Sequence, residues 1–232
     1  FILKDYVAGS QLLFIRNPNY WERNPVGPGK GDQLPYIDTY REIILPDAST
    51  RQAALRTGKI DSLSGVTEDD FQSLLKSSPQ LKYLTTLSNQ PYAIGMRRDK
   101  KDKPFSDIRV RQALMLATDF EAITRDFYGG KAEMDVYPVN KQVAPFYQRL
   151  TEMPESVQAL FRYNPERAKQ LLKEAGYPNG FKTSVVILST AERIDELSIY
   201  KDQWAKVGVE LVLDIKESGA YTTISTGRSH ED

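Results

Sequence analysis

One strand, helix, strand pattern constrains the fold more than any other feature of this sequence. The runs TSVVIL at 183–188 and VELVLDI at 209–215 are rich in the β-branched residues that favour strands. Between them, Ser189 and Glu192 match a helix capping box, and Gly208 follows the predicted helix. A crossover of this length joins parallel strands with right-handed sense, so an α/β fold is predicted. The apolar residues that this helix is expected to bury are Leu197, Tyr200, Trp204 and Val207.

Three further helices are predicted upstream of this unit. The clearest begins with Asn164 as N-cap and Pro165 in the first turn, and it ends at Gly176. The others begin after Ser106 and after Asp119. Their apolar stripes are Ala168, Leu171, Leu172 and Ala175 in the first, Val110, Ala113, Leu114 and Ala117 in the second, and Phe120, Ile123 and Phe127 in the third.

The first part of the chain alternates strands and helices in the same way. Predicted strands lie at 1–7, 11–16, 40–45, 81–87 and 91–96. Asp47 is the expected N-cap of a helix that stops at Gly58, and Thr67 and Asp70 form the capping pattern of another. Residues 131–163 show little periodicity and are predicted to form a loop over the surface.

Charge and residue counts exclude several classes of function. Lys+Arg and Asp+Glu both number 31, so the formal charge is zero and no field favours nucleic acid or an anionic membrane. No apolar run approaches the roughly 20 residues of a transmembrane helix. With no cysteine and His230 as the one histidine, a catalytic triad or a multi-histidine metal site is excluded. Because the chain opens without Met or a signal-peptide pattern, we expect an internal piece of a longer protein.

The glycine-rich run at 16–32 has two interpretations. A phosphate-binding loop needs its glycines between a strand and a helix, with Ser or Thr after the lysine. Here Pro28 removes a donor, Lys30 is followed by Gly, and the run leads to another strand. We therefore predict a surface connection between strands, with Tyr20 and Trp21 packed onto the sheet.

Other charged groups are interpreted as structural. The adjacent acids Asp69 and Asp70 fit the positive end of a helix, and Glu231 and Asp232 fit a solvated chain segment. The run RRDKKDK at 97–103 alternates in sign and is predicted to be a solvated loop. Arg109 and Arg111 are expected to form salt bridges with neighbouring acids.

Six blocks along the chain resemble the extracellular solute-binding proteins of family 5, the dipeptide, oligopeptide and nickel-binding components of bacterial ABC importers. They occur in family order and cover nearly the whole chain. These blocks are RNPNYW at 16–21, LPYID at 34–38, ILPDASTRQAALRTGKID at 44–61, KPFSDIRVRQALMLATD at 103–119, YGGKA at 128–132 and YNPERAKQLLKEAGYPNGF at 163–181.

The resemblance implies a periplasmic-binding-protein-like fold of type II, with parts of two lobes whose mixed sheets are flanked by helices. Residues 1–95 would belong to the first lobe and 96–232 to the first part of the second. The implied protein is an extracytoplasmic monomer, periplasmic or lipid-anchored, which closes over a peptide or other small solute and delivers it to ABC permease subunits. It would need no cofactor or metal, bind no nucleic acid and insert no segment of this chain into the membrane.

The resemblance also implies which side chains face the ligand. The loop that contains Ser64, Gly65 and Val66 is expected to leave a strand at its carboxyl end, where open α/β sheets place ligands. Tyr92 and Met96 are expected on the strand that crosses to the second lobe. Tyr221 occupies a position where the family often has an aromatic residue. Core or hinge packing is the alternative for each of these residues.

Two other functions stay open at this stage. A carboxylate-dependent extracellular enzyme, such as a glycosidase, needs two acids across a cleft. A sensory or chaperone-like peptide-binding module would reuse the same scaffold without a transporter. Since closure of two lobes holds the ligand, the 232-residue chain alone is predicted to bind peptide weakly or not at all.

Overall fold

The computed structural model describes residues 1–87, 92–134, 141, 143 and 145–231. The chain divides into two compact units, Phe1–Thr85 and Thr86–Asp232. Each unit has a sheet and helices of its own, and each is described by itself.

The first unit contains a three-stranded antiparallel sheet. Strands β1 (Ile2–Val7), β2 (Gln11–Ile15) and β3 (Thr39–Ile43) lie in that order, so β2 is central. The register runs from Ile2 opposite Ile15 to Val7 opposite Gln11, with a bulge between Leu3 and Asp5. All residues of β1 and β3 are exposed, whereas β2 is half-buried. The three strands predicted here are confirmed.

Two helices follow the sheet, and both begin where the capping residues predict. The Asp47 carboxylate accepts a hydrogen bond from the Thr50 backbone N–H at the start of α1 (Ala48–Arg56). The Thr67 hydroxyl accepts one from the Asp70 N–H at the start of α2 (Glu68–Ser77). Short polar side chains satisfy amides that have no partner within the helix, which sets these boundaries.

The run at 16–32 connects β2 to its neighbour β3, as the prediction of a connection between strands requires. It closes on itself through an isolated bridge between Arg23 and Gln33 and a hydrogen bond from the Asn24 N–H to the Asp32 carbonyl, 2.9 Å. The predicted packing of Trp21 is wrong, because that side chain is 81% exposed. Its indole lies beside the Tyr20 ring, with ring centres 5.7 Å apart, and that contact leaves most of the side chain in solvent.

The described residues of the second unit form six α-helices and a two-stranded parallel sheet. The strands are β4 (Phe181–Leu188) and β5 (Val209–Lys216), paired in register along all eight residues. The helices are α3 (Ile108–Leu116), α4 (Phe120–Ala122) with a π-helical continuation at Ile123–Phe127, α5 (Glu155–Gln158), α6 (Pro165–Glu174), α7 (Ala191–Ala205) and α8 (Ser218–Gly227). Short 3₁₀ turns lie at Pro104–Ser106, Leu150–Glu152 and Ala159–Phe161.

The core of the second unit forms where α3 and α6 pack as an antiparallel pair against the β4, α7, β5 layer. Arg109 at the start of α3 donates to the Glu174 carbonyl at the end of α6, and Asn164 donates to the Leu116 carbonyl at the other ends. Trp204 on α7 donates a buried hydrogen bond of 3.0 Å to the Thr118 hydroxyl. The apolar core residues are Phe105, Val110, Ala113, Leu114, Leu116, Ala117, Ala168, Leu171, Leu172, Trp204, Val207, Val209 and Leu211.

Several sequence predictions for this region are wrong in detail. The described residues of the predicted strands at 81–87 and 91–96 lie outside β1 to β5, so these two strands are not found there; position 91 lies outside the described residues. Asp107, not Ser106, caps α3 by accepting from the Arg109 N–H. The capping box at Ser189 does not form, since Ser189 lies outside α7 and donates to the Glu217 carboxylate.

The predicted loop at 131–163 holds short helical turns in its second half. Positions 135–140, 142 and 144 lie outside the described residues. In the described parts of the chain, no helix combines the length and apolar character needed to cross a membrane.

Candidate ligand-binding pocket

The second unit contains a pocket of about 450 Å³ beside strand β4. Its walls come from residues 92–96, from β4, from one side of α7, and from α8 with the residues that follow it. All of these elements belong to the same compact unit.

The parallel pairing of β4 and β5 explains why these elements meet. Since the strands are in register, Leu188 and Lys216 end at the same edge of the sheet. Helix α7 follows the first strand and α8 follows the second, so both helices begin at that edge. The carboxyl edge of a parallel sheet is where α/β proteins commonly bind ligands.

An ion pair and an aromatic ring form the polar mouth of the pocket. Arg193 donates to the Glu196 carboxylate at 2.7 Å, and its guanidinium carbon lies 3.3 Å from the centre of the Tyr92 ring. Glu196 is only 4% exposed, so its charge is compensated by the neighbouring guanidinium. Tyr92 is 58% exposed and offers the outer face of its ring to solvent. This stacked group can contact an aromatic or planar polar ligand.

Two tyrosines near Glu196, Tyr200 and Tyr128, are held in their neutral form. Burial, and after it the negative charge of Glu196, raises the pKa of Tyr200 to about 12. The same two causes, in the same order, raise the pKa of Tyr128. Neither phenol ionises near neutral pH, so both act there as neutral polar groups.

The interior of the pocket is mostly apolar. Its side chains come from both walls and from the core beneath, and they are Ile94, Met96, Phe105, Val185, Ile187, Leu197 and Leu211. Among the polar side chains that also line the pocket, Thr183 differs from the others because its hydroxyl is buried and has no hydrogen-bond partner among the described residues. Burial of a hydroxyl without a hydrogen-bond partner costs free energy of folding.

The chain segment after α8 is fastened beside the pocket by two cations of the 97–103 run. Arg97 donates to the carbonyls of Arg228 and His230 and forms a two-pronged contact with Asp99. Lys100 pairs with Glu231 at 3.0 Å. The 97–103 run, which was predicted to be a solvated loop, therefore also binds the segment that contains His230, a residue of the pocket wall.

The structure brings together three of the six predicted ligand residues. Tyr92, Met96 and Tyr221 line this pocket. Tyr92 and Met96 lie in extended chain without strand pairing, contrary to the prediction that they sit on a strand, and Tyr221 lies on α8.

The other three predicted residues, Ser64, Gly65 and Val66, lie in the first unit and do not line this pocket. Their loop follows α1 and a turn rather than a strand, so the predicted strand end is wrong. Their assignment as ligand residues stays a prediction.

Sequence reasoning missed the polar mouth. Arg193 and Glu196 are spaced i, i+3 in the first turns of the helix that follows β4. That spacing places two side chains on one helical face, and the carboxyl end of a parallel strand marks the edge where they matter. The signal was present, but opposite charges at this spacing are common on solvent-exposed helices.

Most of the other charged groups have the structural roles predicted for them. Arg109 forms a salt bridge with Asp107 at 2.6 Å, and Asp69 and Asp70 lie in the first turn of α2. Arg111 departs from the prediction, because it donates to the backbone carbonyl of Phe105 instead of to an acid. Asp232 lies outside the described residues, and across the described ranges no cluster of acids and His230 is arranged to hold a metal ion.

Comparison with known proteins supplies the family. The model for bacterial extracellular solute-binding proteins, family 5 Middle, matches residues 1–230. Heme-binding protein A of Haemophilus influenzae is 30% identical over 216 residues, which cover 90% of this chain and 36% of that protein.

Two solved structures share the fold. DppA from Helicobacter pylori, a periplasmic binding protein in complex with the peptide STSA, aligns with a TM-score of 0.71 and 25% identity over 99% of this chain and 40% of its own. AppA from Bacillus subtilis, in complex with a nonapeptide, aligns with a TM-score of 0.71 and 26% identity over 96% of this chain and 43% of its own. The predicted type II fold is confirmed.

These matches have one feature in common: this chain spans only 36% to 43% of the length of the proteins it resembles. Within that span, the family model matches 230 of the 232 residues. The chain belongs to the bacterial extracellular solute-binding proteins of family 5.

Proposed function

We propose that this chain is part of the substrate-binding component of an ABC importer, which binds peptides or similar small solutes outside the cytoplasm and delivers them to a permease. The observation that carries the proposal is the family match over residues 1–230. The fold shared with two binding proteins solved with bound peptides supports it.

The proposed ligand is a small solute, and a peptide is the class of solute proposed first. Relatives are named for heme, oligopeptides and glutathione, so the scaffold serves solutes of different chemistry. The described pocket offers exposed aromatic surface and polar groups at its mouth, but its two described carboxylates, Glu196 and Glu231, are both ion-paired. Such a mouth suits broad recognition through aromatic contact and hydrogen bonds, and it gives no support to two-carboxylate catalysis.

Within this proposal, Tyr92, Met96 and Tyr221 contact the solute from the second unit, together with Arg193. Ser64, Gly65 and Val66 contact it from the first lobe. The lobe boundary lies near residue 95. Since each lobe supplies part of the contact surface, affinity depends on both being complete.

The test is calorimetry on the full-length protein with three solutes: the tetrapeptide STSA, reduced glutathione and hemin. We expect micromolar or tighter binding of at least one, weakened about tenfold or more by Tyr92→Ala, because the exposed ring is lost from the pocket mouth. Tyr6→Ala in the first unit, also an exposed tyrosine, is the matched control and should leave the affinity unchanged.

The same titration on the 232-residue chain should give binding at least 100-fold weaker, or none. Micromolar binding of a dipeptide to that chain would contradict the role of two complete lobes. Failure of all three solutes, with no small molecule seen in native mass spectrometry of the purified full-length protein, would overturn the proposed function itself.

A further inference from the structure

Arg193 contacts both a buried carboxylate and an aromatic ring at the mouth of the pocket. It donates to the Glu196 carboxylate at 2.7 Å, and its guanidinium carbon lies 3.3 Å from the centre of the Tyr92 ring. At that distance the guanidinium and the ring are in van der Waals contact, so no other atom fits between them. One face of Tyr92 is therefore covered by a positive charge, while the residue as a whole is 58% exposed.

Glu196 holds Arg193 in this place. The Glu196 side chain is only 6% exposed and the Arg193 side chain 25%. A buried carboxylate that loses its cation is strongly destabilising, so Arg193 stays in the pair instead of being released to a solute. The neutral phenols of Tyr128 and Tyr200 supply no positive charge that could replace it. The guanidinium is thus fixed against the ring.

A cation on one face of an aromatic ring changes what the other face can bind. The face of a ring attracts cations, but here Arg193 already uses that attraction. A second cation on the outer face would lie about 7 Å from the guanidinium carbon, within the Debye length of about 8 Å at physiological salt, so the two charges repel. Glu196 weakens this repulsion, but the guanidinium is the charge that touches the ring. A neutral aromatic ring meets no such repulsion and gains a stacking contact.

The rest of the lining also favours a neutral partner. Ile94, Met96 and Leu197 give the pocket an apolar interior. A cationic group that enters such surroundings needs an anion to compensate the loss of its hydration. The two described carboxylates of the lining, Glu196 and Glu231, are both ion-paired with cations of this chain.

We propose that Arg193 determines the specificity of the pocket through Tyr92, and that Glu196 positions Arg193 for this role. The outer face of the ring accepts a neutral aromatic or other planar group of the solute and rejects a cationic one. The solute class is then a peptide that places an aromatic side chain on the ring, and a lysine or arginine at that place is disfavoured. This inference rests on the proposed function, because it concerns the solute that the full-length protein binds.

A series of tetrapeptides tests this selectivity. Each position of STSA is replaced in turn by phenylalanine, norleucine or lysine, and calorimetry with the full-length protein gives each Kd. Lysine and norleucine have side chains of similar length, so their comparison isolates the charge. At one position or more, we expect lysine to bind at least about tenfold more weakly than norleucine, and phenylalanine to bind more tightly than norleucine.

The decisive variant is Arg193→Met combined with Glu196→Gln. Replacing both partners leaves no unpaired charge in the fold, whereas Arg193→Met alone would leave a buried carboxylate without its cation. The deficit of lysine against norleucine should shrink to about threefold or less, because the repelling charge is gone. The preference for phenylalanine should persist, since the ring remains. Tyr92→Leu should instead abolish the preference for phenylalanine.

The matched control is Arg167→Met combined with Glu174→Gln. This pair on α6 has the same chemistry, with the Arg167 guanidinium 3.2 Å from the Glu174 carboxylate, and neither residue lines the pocket. Both affinity ratios should equal those of the wild type. Circular dichroism of each variant shows whether it is folded before the titrations are compared.

Two results would overturn this inference and leave the proposed function in place. One is equal affinity for lysine and norleucine at all four positions of the wild type. The other is a lysine deficit that the double variant at Arg193 and Glu196 leaves unchanged, because other residues would then cause the discrimination. Binding of hemin or glutathione without binding of any tetrapeptide would likewise overturn the peptide class inferred here. Failure of the proposed function itself is distinct: none of these solutes binds, and no small molecule copurifies.

Discussion

At the scale of single residues, Gly180 and Gly208 bring their backbones into close contact. Both have positive φ, +74° and +89°. A Cβ built on Gly180 would lie 1.8 Å from the carbonyl oxygen of Gly208, and backbone atoms there cannot rotate away. The contact precedes the first rung of the parallel pair, Phe181 opposite Val209. Glycine is therefore required at position 180 by space as well as by φ.

Replacing Gly180 with alanine should destabilise the second unit by about 4 kcal/mol, since the clash forces the start of β4 away from β5. Gly176→Ala is the matched control, because its φ is +94° but no atom lies within 4 Å of the added Cβ. It should cost only the conformational strain, about 1 to 2 kcal/mol. Urea unfolding followed by circular dichroism measures both, and equal losses would show that φ alone requires the glycine.

The raised pKa of Tyr200 leads us to predict a loss of folding stability at alkaline pH. Burial raises its pKa to about 12 in the folded chain, above the unfolded value of 10.0. Above pH 10 the unfolded state loses the proton first, so stability is complete below that pH and declines as pH rises toward 12. The decline approaches about 1.4 kcal/mol per pH unit for one such group.

Tyr200→Phe should reduce this decline, because the group that titrates is removed while most of the packing remains. The measurement is urea unfolding at intervals between pH 9 and 11.5. An unchanged slope in Tyr200→Phe would show that other groups cause the decline.

At the scale of elements, local signals were sufficient for helix α6 and for the crossover from β4 to β5. Asn164, Pro165 and Gly176 bound α6 as predicted, and the crossover from β4 to β5 is parallel. The described residues of the predicted strands at 81–87 and 91–96 lie outside the strands of the structure, and an apolar pattern alone does not report whether a segment joins a sheet.

The candidate site also contains residues that the sequence analysis named and residues that it missed. Tyr92, Met96 and Tyr221, which the family resemblance implied as ligand residues, line one pocket, and their contact with a ligand stays a prediction. The ion pair of Arg193 with Glu196 was missed because only the fold shows that Tyr92 stacks on it. Residues that act through contacts distant in sequence cannot be identified from spacing alone.

The N-cap of α3 gives a prediction that separates the expected cap from the observed one. Asp107 accepts from the Arg109 N–H and pairs with the Arg109 side chain, which also reaches the Glu174 carbonyl on α6. Asp107→Ala should cost about 1 to 2 kcal/mol, whereas Ser106→Ala should cost a few tenths. Chemical denaturation of the two variants provides the comparison, and the reverse order would restore Ser106 as the cap.

The pH dependence of this cap follows from the same contacts. The hydrogen bond from the Arg109 side chain, and after it the Arg109 backbone N–H, lowers the pKa of Asp107. A carboxylate with a lowered pKa stabilises the fold above its unfolded pKa, and the contribution disappears as pH falls through the folded value. The difference between wild type and Asp107→Ala should therefore shrink below pH 4 and persist at neutral pH.

At the scale of the whole molecule, the two units differ in how much apolar surface they bury. Within residues 1–85, all of which the structure describes, Leu74 is the one buried hydrophobic side chain. Strands β1 and β3 instead expose Ile2, Leu3, Tyr6 and Tyr40. The second unit buries a continuous core built from α3, α6, α7 and the two parallel strands. Since burial of apolar surface is the main favourable term in folding, the first unit has much less to offset its chain entropy.

We therefore predict that the 232-residue chain unfolds in two steps, the first unit before the second. In hydrogen exchange under native conditions, amides of β2 should exchange at least about 100-fold faster than amides in the β4–β5 ladder, because a small core permits local opening at low free energy. Limited proteolysis should correspondingly cleave within residues 1–85 first and leave a fragment that begins near Thr86.

In the full-length protein, the exchange rates of the β2 amides and the β4–β5 amides should differ less. The relatives are more than twice as long, so further chain can cover the exposed strands. A single cooperative transition with equal protection in both sheets of the 232-residue chain would show that the exposed strands of the first unit are stabilised by something other than a core of their own.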